Sequence, residues 1–270
     1  MNYISYRDLG QNGRLGNQLF QIAATLSTAK KYNAIALFPQ WEYQKYFAPI
    51  GSPLTVEPNY HYREPAFHYT EIDWNDADCI NNSQSENKVL NLHGYFQSEK
   101  YFDSCKRLIL SAFEPNKDFL NKLKATAIYS KAPSNSVTCS IHVRRGDYVN
   151  NDFYAQLGFN YYKQALICVN EIAYHRGVTI SKFVVFSDDI DYCRNIFKGD
   201  EFLFISGADI EDLFLMSYCD YNICANSSFS WWAHYLNQNN GKIGIFPKQW
   251  FGENTTLNTK DLYTEKMILI

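Results

Sequence analysis

The sequence predicts an α/β protein whose second half is built on a parallel sheet with helices on both faces. Two observations predict it. Between residues 137 and 246, short apolar runs alternate with amphipathic helical stretches, and strand-then-helix repetition makes parallel sheets. A stretch of turn composition, Ser130-Lys131-Ala132-Pro133-Ser134-Asn135-Ser136, divides this half from a less regular first half. Two domains, 1–130 and 131–270, are therefore expected, and 270 residues suffice for both.

In the first half, a short strand at 3–6 runs into the turn-rich residues 9–13. Leu19, Phe20, Ala23, Leu26 and Ala29 recur at helical spacing, so 17–31 reads as a helix with one buried face. Residues 34–38 read as a buried strand stopped by Pro39. Residues 40–87 are rich in Pro, Tyr, Asn and Asp without a clean period, so loops and short pieces are expected. A strand at 88–95 and helices near 98–112 and 116–126 complete this half.

The second half reads as strand 137–143, then a helix over 160–176 with Leu166, Val169 and Ala173 on one face. Strand 183–186, helix 190–197, strand 202–205 and helix 209–218 follow. A short strand at 222–224, a helix at 229–237 and a final strand at 243–246 close the pattern. In such sheets ligands sit beyond the carboxyl ends of the strands.

Composition narrows the function classes. The net charge is −3 with both signs interspersed, so neither a basic nucleic-acid stripe nor a polybasic membrane patch is present. The seven cysteines are odd in number and contain no CxxC, which argues against a disulfide framework or a zinc site and for a reducing, cytoplasmic setting. No run approaches the length of a membrane span or a signal-peptide core, so no integral membrane segment is expected; peripheral membrane contact stays open. Aromatics make up 17% of the chain. Most of them read as core filling, the Trp231–Trp232 pair included.

The candidate chemistry lies at the strand ends. After strand 137–143 come Arg144, Arg145, Gly146 and Asp147, with His142 inside the strand. Paired guanidinium forks suit phosphate oxygens, although an Arg145–Asp147 surface ion pair fits the same residues. After strand 183–186 come Ser187, Asp188 and Asp189, which read either as a helix cap or as acceptors for a nucleoside. After strand 222–224 come Asn226, Ser227, Ser228 and Ser230, more hydroxyls than a cap needs, at a helix start that favours an anion. In the first half, Gly13-Arg14-Leu15-Gly16-Asn17-Gln18 opens the first helix as a close-approach loop. His93 reads as a satisfied loop histidine sooner than a catalyst, with Tyr95 and Gln97 beside it. Asp76-Ala77-Asp78 and Asp189-Ile190-Asp191 have DxD spacing, but neither follows an apolar strand in the way of a metal-binding DxD and the second runs into a helix, so no metal site is expected.

Taken together, GRLGNQLFQIA (13–23), LHGYFQSEKYF (92–102), IHVRRGDYV (141–149), FSDD (186–189), DLFLMSYCDYNICANSSFSWWAHYLN (212–237) and PKQWF (247–251) resemble the bacterial alpha-1,2-fucosyltransferase family over nearly the whole chain. The resemblance implies a GT-B-like α/β fold, two Rossmann-like domains facing across a cleft, with the nucleotide held by the second and the acceptor by the first. It implies that Arg144 and Arg145 hold the GDP phosphates with Ser227 and Ser228, that Asp188, with Asp189 beside it, faces the guanosine, and that His142 supports the site from below. Gly16 and Asn17 would approach the fucose and pyrophosphate, and Asn226 belongs to the same donor-binding set.

The implied reaction moves L-fucose from GDP-β-L-fucose to the 2-hydroxyl of a terminal β-galactoside, with inversion. It uses neither cofactor nor metal, since placed donors can stabilise the developing diphosphate charge. Arg144, Arg145 and Asp147 are the catalytic candidates, Asp147 equally readable as an arginine partner. Another fucosyltransferase linkage, a protein acceptor, or a non-catalytic carbohydrate-binding protein on the same fold are the alternatives.

Overall fold

The computed structural model describes residues 1–79, 87–126 and 134–270. Residues 130–133 of the expected linker, and with them the 130/131 boundary, lie outside the described residues. The chain divides into two compact units: Met1–Phe119 with Leu257–Thr264, and Leu120–Thr256 with Glu265–Ile270.

The first unit begins with β1 (Asn2–Ser5), α1 (Leu15–Lys31) and β2 (Ile35–Phe38). It continues through β3 (Ser52–Pro53), β4 (Tyr60–Arg63), β5 (Asp78–Cys79) and β6 (Lys88–His93) to α2 (Lys106–Ala112), and the division between units falls inside α3 (Lys117–Lys124). Its sheet has the order β3-β2-β1-β6-β4-β5 and is parallel except for the β4–β5 pair. Helix α1 is buried on more than the one face its pattern predicts, because its polar residues find backbone partners. Thr25 donates to Gln21 O, Thr28 to Ala24 O and Gln21 to Asn12 O. Such bonds remove the desolvation cost of buried polar groups. The segment expected as one helix over 98–112 begins instead as two single 3₁₀ turns, with α2 starting at Lys106. Phe102, at φ −142°, interrupts the helical path. Residues 40–79 contribute three strands that carry no legible period, two of them only two residues long.

The second unit follows its sequence pattern closely. It consists of β7 (Ser136–Val143), α4 (Phe159–His175), β8 (Thr179–Ser187), α5 (Ile190–Ile196), β9 (Phe202–Ile205), α6 (Asp209–Tyr218), β10 (Tyr221–Ile223), α7 (Ser228–Leu236), β11 (Ile243–Phe246) and β12 (Met267–Leu269). The sheet is wholly parallel, ordered β12-β11-β10-β7-β8-β9. Strand β11 is not the last, as the pattern suggested. The C-terminal run of Met267, Ile268 and Leu269 adds β12 to its edge, a segment too short to show alternation. Strand β8 begins four residues before the expected 183, pairing Thr179 with Ser136. Cys139, Ile141, Val143, Val169, Val185, Ile223 and Ile245 are among the residues forming the core between this sheet and its helices. Trp231 and Trp232 are fully buried on α7, as core packing requires.

Both sheets have a strand-order reversal. In the second, β7 leads outward to β8 and β9, and the chain then returns to β10 on the other side of β7. In the first, β1 leads to β2 and β3, and β6 lies on its other side. Open α/β sheets bind ligands at such switch points, beyond the strand carboxyl ends. Those points are the ends of β7 and β10 in one unit and of β1 and β6 in the other. Among the described residues, no helix is long and apolar enough to cross a membrane.

Candidate functional site

The carboxyl ends of β7, β8 and β10 carry one connected charge cluster. Arg144, whose side chain is only 13% exposed, pairs with Asp147 and reaches Asp188 Oδ2 through Nη1 at 2.6 Å. The Arg145 backbone N–H donates to Asp188 Oδ1 at 2.8 Å, while its Nε donates to Asp189 Oδ2 at 3.0 Å. The guanidinium carbon of Arg145 lies 3.7 Å from the Tyr192 ring centroid, and that of Arg144 lies 5.2 Å from the Tyr148 centroid. Stacking and Nε pairing fix the plane of Arg145 while leaving its two Nη groups without a described partner.

Gly146 makes this packing possible. A Cβ there would stand 2.5 Å from Asp188 Oδ2, so a side chain would displace the carboxylate that orients both arginines. Asp189 has a second task as the cap of α5, accepting from Tyr192 N at 3.1 Å. The capping reading of the FSDD segment holds for Asp189, and the same cap aims a carboxylate at Arg145. Asp188, which the resemblance turns toward guanosine, is engaged by Arg144 and Arg145. Asp147 is engaged by Arg144. Three carboxylates face two guanidinium groups, so an arriving anion competes with Asp147, the most exposed of the three.

The β10 end joins this cluster through Tyr148, whose hydroxyl donates to Asn226 O at 3.2 Å. Asn226 is 1% exposed, and its amide donates to Ala155 O and Trp250 O at 3.0 and 2.8 Å. It braces the loop rather than presenting its amide to a ligand. Ser227 caps α7 by accepting from Phe229 N at 3.3 Å, and Ser228 opens the helix. Ser230 turns inward to Ala225 O and Ser227 O. Beneath α7, Asn222 is buried, its amide donating to Ser140 Oγ and Met216 O while its carbonyl meets His234 Nδ1 and Asn237 Nδ2. This network ties the helix to β7 and β10 and so fixes where the helix start points.

His142 Nδ1 and Asp212 Oδ1 are among the buried side-chain atoms of the described residues that make no hydrogen bond. His142 lies in β7 with its ring 5.3 Å from that of Phe229, and burial, helped by Arg144, pulls its pKa down to about 3. Asp212 sits in the first turn of α6, beyond β9, and accepts from Gly207 N at 3.3 Å through Oδ2. Burial raises it to about 6. Asp212 opens the 212–237 run that carries the family resemblance, but the sequence gives it no site role. Its signal was an acid on the buried side of an apolar helix start, which helix-start preference for acids already explains.

Gly16 and Asn17 belong to the first unit, at the start of α1. Gly13, at φ +89°, brings the loop back so closely that a Cβ would strike the Asn17 side chain. Asn17 Oδ1 accepts from Gln97 Nε2 at 2.8 Å, and Gln18 bridges Gly13 O and Trp41 Nε1. The loop is therefore pinned to the 94–97 segment. That segment turns at Gly94, with φ +153°, is strained at Phe96, with φ +52°, and is held by Glu64, which accepts from Tyr95 N and Phe96 N. Asp76 and Asp78 are exposed, and Asp78 lies in the antiparallel edge strand β5. Among the described residues, no three His, Cys, Asp or Glu converge to hold a metal ion.

Comparison with known proteins adds the family. The chain is 35% identical over 181 residues to the O-antigen biosynthesis glycosyltransferase WbnK of Escherichia coli, covering 63% of this chain and 58% of that protein. It is 36% identical over 187 residues to an alpha-1,2-colitosyltransferase of Escherichia coli, covering 66% and 61%. The match thus spans about six tenths of those relatives' length. The galactoside alpha-(1,2)-fucosyltransferase 2 of Sus scrofa is 28% identical over 249 residues, covering 83% and 67%. Among solved structures, the NodZ alpha-1,6-fucosyltransferase soaked with GDP-fucose superposes with a TM-score of 0.51 at 15% identity, covering 87% of this chain and 92% of that one. An arginine-to-lysine mutant of Arabidopsis thaliana FUT1 in complex with GDP gives 0.52 at 11%, covering 90% and 69%. The expected GT-B fold is borne out by these neighbours and by the two mostly parallel sheets. The model of glycosyl transferase family 11 matches residues 3–268, and the chain belongs to that family.

Proposed function

We propose that this glycosyltransferase moves L-fucose from GDP-β-L-fucose to the 2-hydroxyl of a terminal galactoside, inverting the sugar and using no metal. The observation that carries the reading is the Arg144–Arg145 pair at the β7–β10 switch point, beside the start of α7. Departure of GDP loads charge onto the β-phosphate. A guanidinium fork with free Nη groups and a helix N-terminus stabilise that charge where it develops. Asp188 and Asp189 hold the forks in place, and Asp147 yields Arg144 to the diphosphate. Guanine presents N–H donors along one edge, and the buried carboxylate oxygen Asp212 Oδ1, which makes no hydrogen bond, suits them.

An α product from a β donor needs one in-line displacement. The acceptor oxygen bonds to the anomeric carbon as the carbon–oxygen bond to phosphate breaks, and the electron pair leaves with GDP. The test is GDP release from GDP-fucose with lactose in EDTA, followed by linkage analysis. Alpha-1,2-fucosyl-lactose supports the reading. No release, or release only with a divalent metal, overturns it. The resemblance to an alpha-1,2-colitosyltransferase supports one second reading, a GDP-colitose donor. Colitose is fucose without its 3-hydroxyl, so kcat/KM for the two donors separates the readings.

A further inference from the structure

Beyond the carboxyl ends of β7 and β11, two loops of the second unit join in an aromatic ladder that the diphosphate chemistry does not use. Tyr154 and Phe251 form an antiparallel bridge, Gly252 N donates to Phe153 O at 2.9 Å, and Ala155 N donates to Trp250 O at 3.4 Å. Glycine is required at 252, because a Cβ would stand 1.9 Å from Asp152 O. The Asn226 amide ties both loops to the end of β10. The ladder starts at the arginine pair. The Arg144 guanidinium lies over Tyr148, and Tyr148 stacks on Tyr154 with centroids 3.7 Å apart and planes 6° from parallel. Phe153 meets Tyr154 and Phe251 edge-on at 5.0 and 5.1 Å.

Exposure falls on the last rung. Phe251 is buried and Tyr148 and Tyr154 are half-buried, yet Phe153 is 45% exposed, as is Val149 in the same loop at 39%. A lone exposed phenylalanine is ordinary on any surface. This one is the outer ring of a stack anchored on an arginine of the candidate site, on a loop held by backbone bonds to its neighbour.

Strand order says what reaches it. The second sheet runs β9-β8-β7-β10-β11. Asp212, taken above as the guanine acceptor, follows β9; the arginines follow β7, Ser227 and Ser228 follow β10, and Phe251 follows β11. Neighbouring strands are about 4.8 Å apart, so the ends of β9 and β10 are separated by about 14 Å, the extent of a nucleoside diphosphate laid across them. A sugar on the β-phosphate then lies over β10 and β11, where the ladder ends.

We propose that Phe153, backed by Tyr154 and Phe251, is the specificity residue for the donor's 6-deoxy sugar, its exposed ring receiving the C6 methyl. The assignment rests on the donor reading above. Fucose and colitose share this methyl, so the contact serves either donor. A methyl group makes no hydrogen bond, and only apolar contact rewards its removal from water. A hydroxyl on the same carbon would face the ring without a partner.

The test uses GDP-L-galactose, which is GDP-fucose with a hydroxyl on C6 and no other change. With lactose as acceptor, native protein is expected to favour GDP-fucose by about ten- to a hundredfold in kcat/KM, the range over which an apolar pocket rejects one hydroxyl. In Phe153→Ala the preference is expected to fall below about threefold, since the wall that made it is gone. GDP affinity is expected to stay native in that variant, because GDP carries no sugar. In native protein holding GDP-fucose without acceptor, nuclear Overhauser effects are expected between the fucose methyl and the Phe153 ring protons. Equal use of the two donors by native protein, an unchanged preference in Phe153→Ala, or methyl effects that reach no aromatic ring overturns the contact and leaves the transferase reading standing. Native protein that neither binds nor uses GDP-fucose overturns the donor reading itself. Should Phe153→Ala misfold or lactose prove a poor acceptor, the spectra of the native complex decide.

Discussion

Arg145 lies flat on Tyr192, its guanidinium carbon 3.7 Å from the ring centroid, while its Nε is held by Asp189 at 3.0 Å. Tyr192 belongs to the same α5 turn that Asp189 caps. One short helix start therefore supplies both the stacking surface and the carboxylate that aim the arginine. A lysine there would have neither a planar face to stack nor a fork to share.

Gly146→Ala is expected to weaken GDP binding by about tenfold, roughly 1.4 kcal/mol. Backbone strain is not the cause, since Gly146 does not have a positive φ. The new methyl would occupy the space of Asp188 Oδ2, and both arginines would lose their shared support. Calorimetric titration of GDP checks it, and circular dichroism should show no loss of fold.

Asp212→Asn is expected to erase a preference for GDP over IDP, which lacks the 2-amino group of guanine. Native protein should favour GDP by about tenfold through one extra hydrogen bond to a carboxylate. Equal discrimination in the variant would remove Asp212 from the nucleotide site. Because burial already holds this carboxyl near pKa 6, the neutral amide should cost little stability.

His142 and His234 should stay neutral far below ordinary histidine behaviour. Burial holds each at about 3, against 6.5 for a free imidazole, with a smaller push from Arg144 and Lys242 respectively. As pH falls below 6.5 the unfolded chain takes up protons that these two sites refuse. Stability then declines toward pH 3 by up to about 1.4 kcal/mol per pH unit for each histidine. Asp212 acts oppositely, since its raised carboxyl takes up a proton in the folded state first, between about 6 and 3.8. Imidazole NMR shifts that do not move between pH 7 and 5 would verify the histidines, and ordinary titration near 6.5 would refute them.

The second sheet was legible because its strands are buried on both faces and its helices carry whole apolar stripes, as at Leu166, Val169 and Ala173 on α4. The arginine pair and the serine-rich helix start were legible for the same reason, since each follows a readable strand. Strands β3 to β5 were not, because two are two-residue pairings fixed by register with Leu37 and Tyr60 rather than by their own pattern. The contact of His93 with Asp8 and His61 was hidden for a related reason. Asp8 lies just after β1, 85 positions before His93, and the parallel register of β1, β6 and β4 brings the three together. Asn226 shows the converse, a residue named for the site whose amide the structure gives to Ala155 and Trp250.

The central claim is that two aimed guanidinium groups grip the diphosphate without a metal. The most direct measurement is calorimetric titration of GDP, in EDTA, into native protein and Arg145→Lys. The account expects binding by the native protein and a loss of at least about tenfold in the variant, since a charge-assisted fork is replaced by a point charge. Equal affinity in the two proteins, or no native binding until a divalent metal is restored, would contradict it.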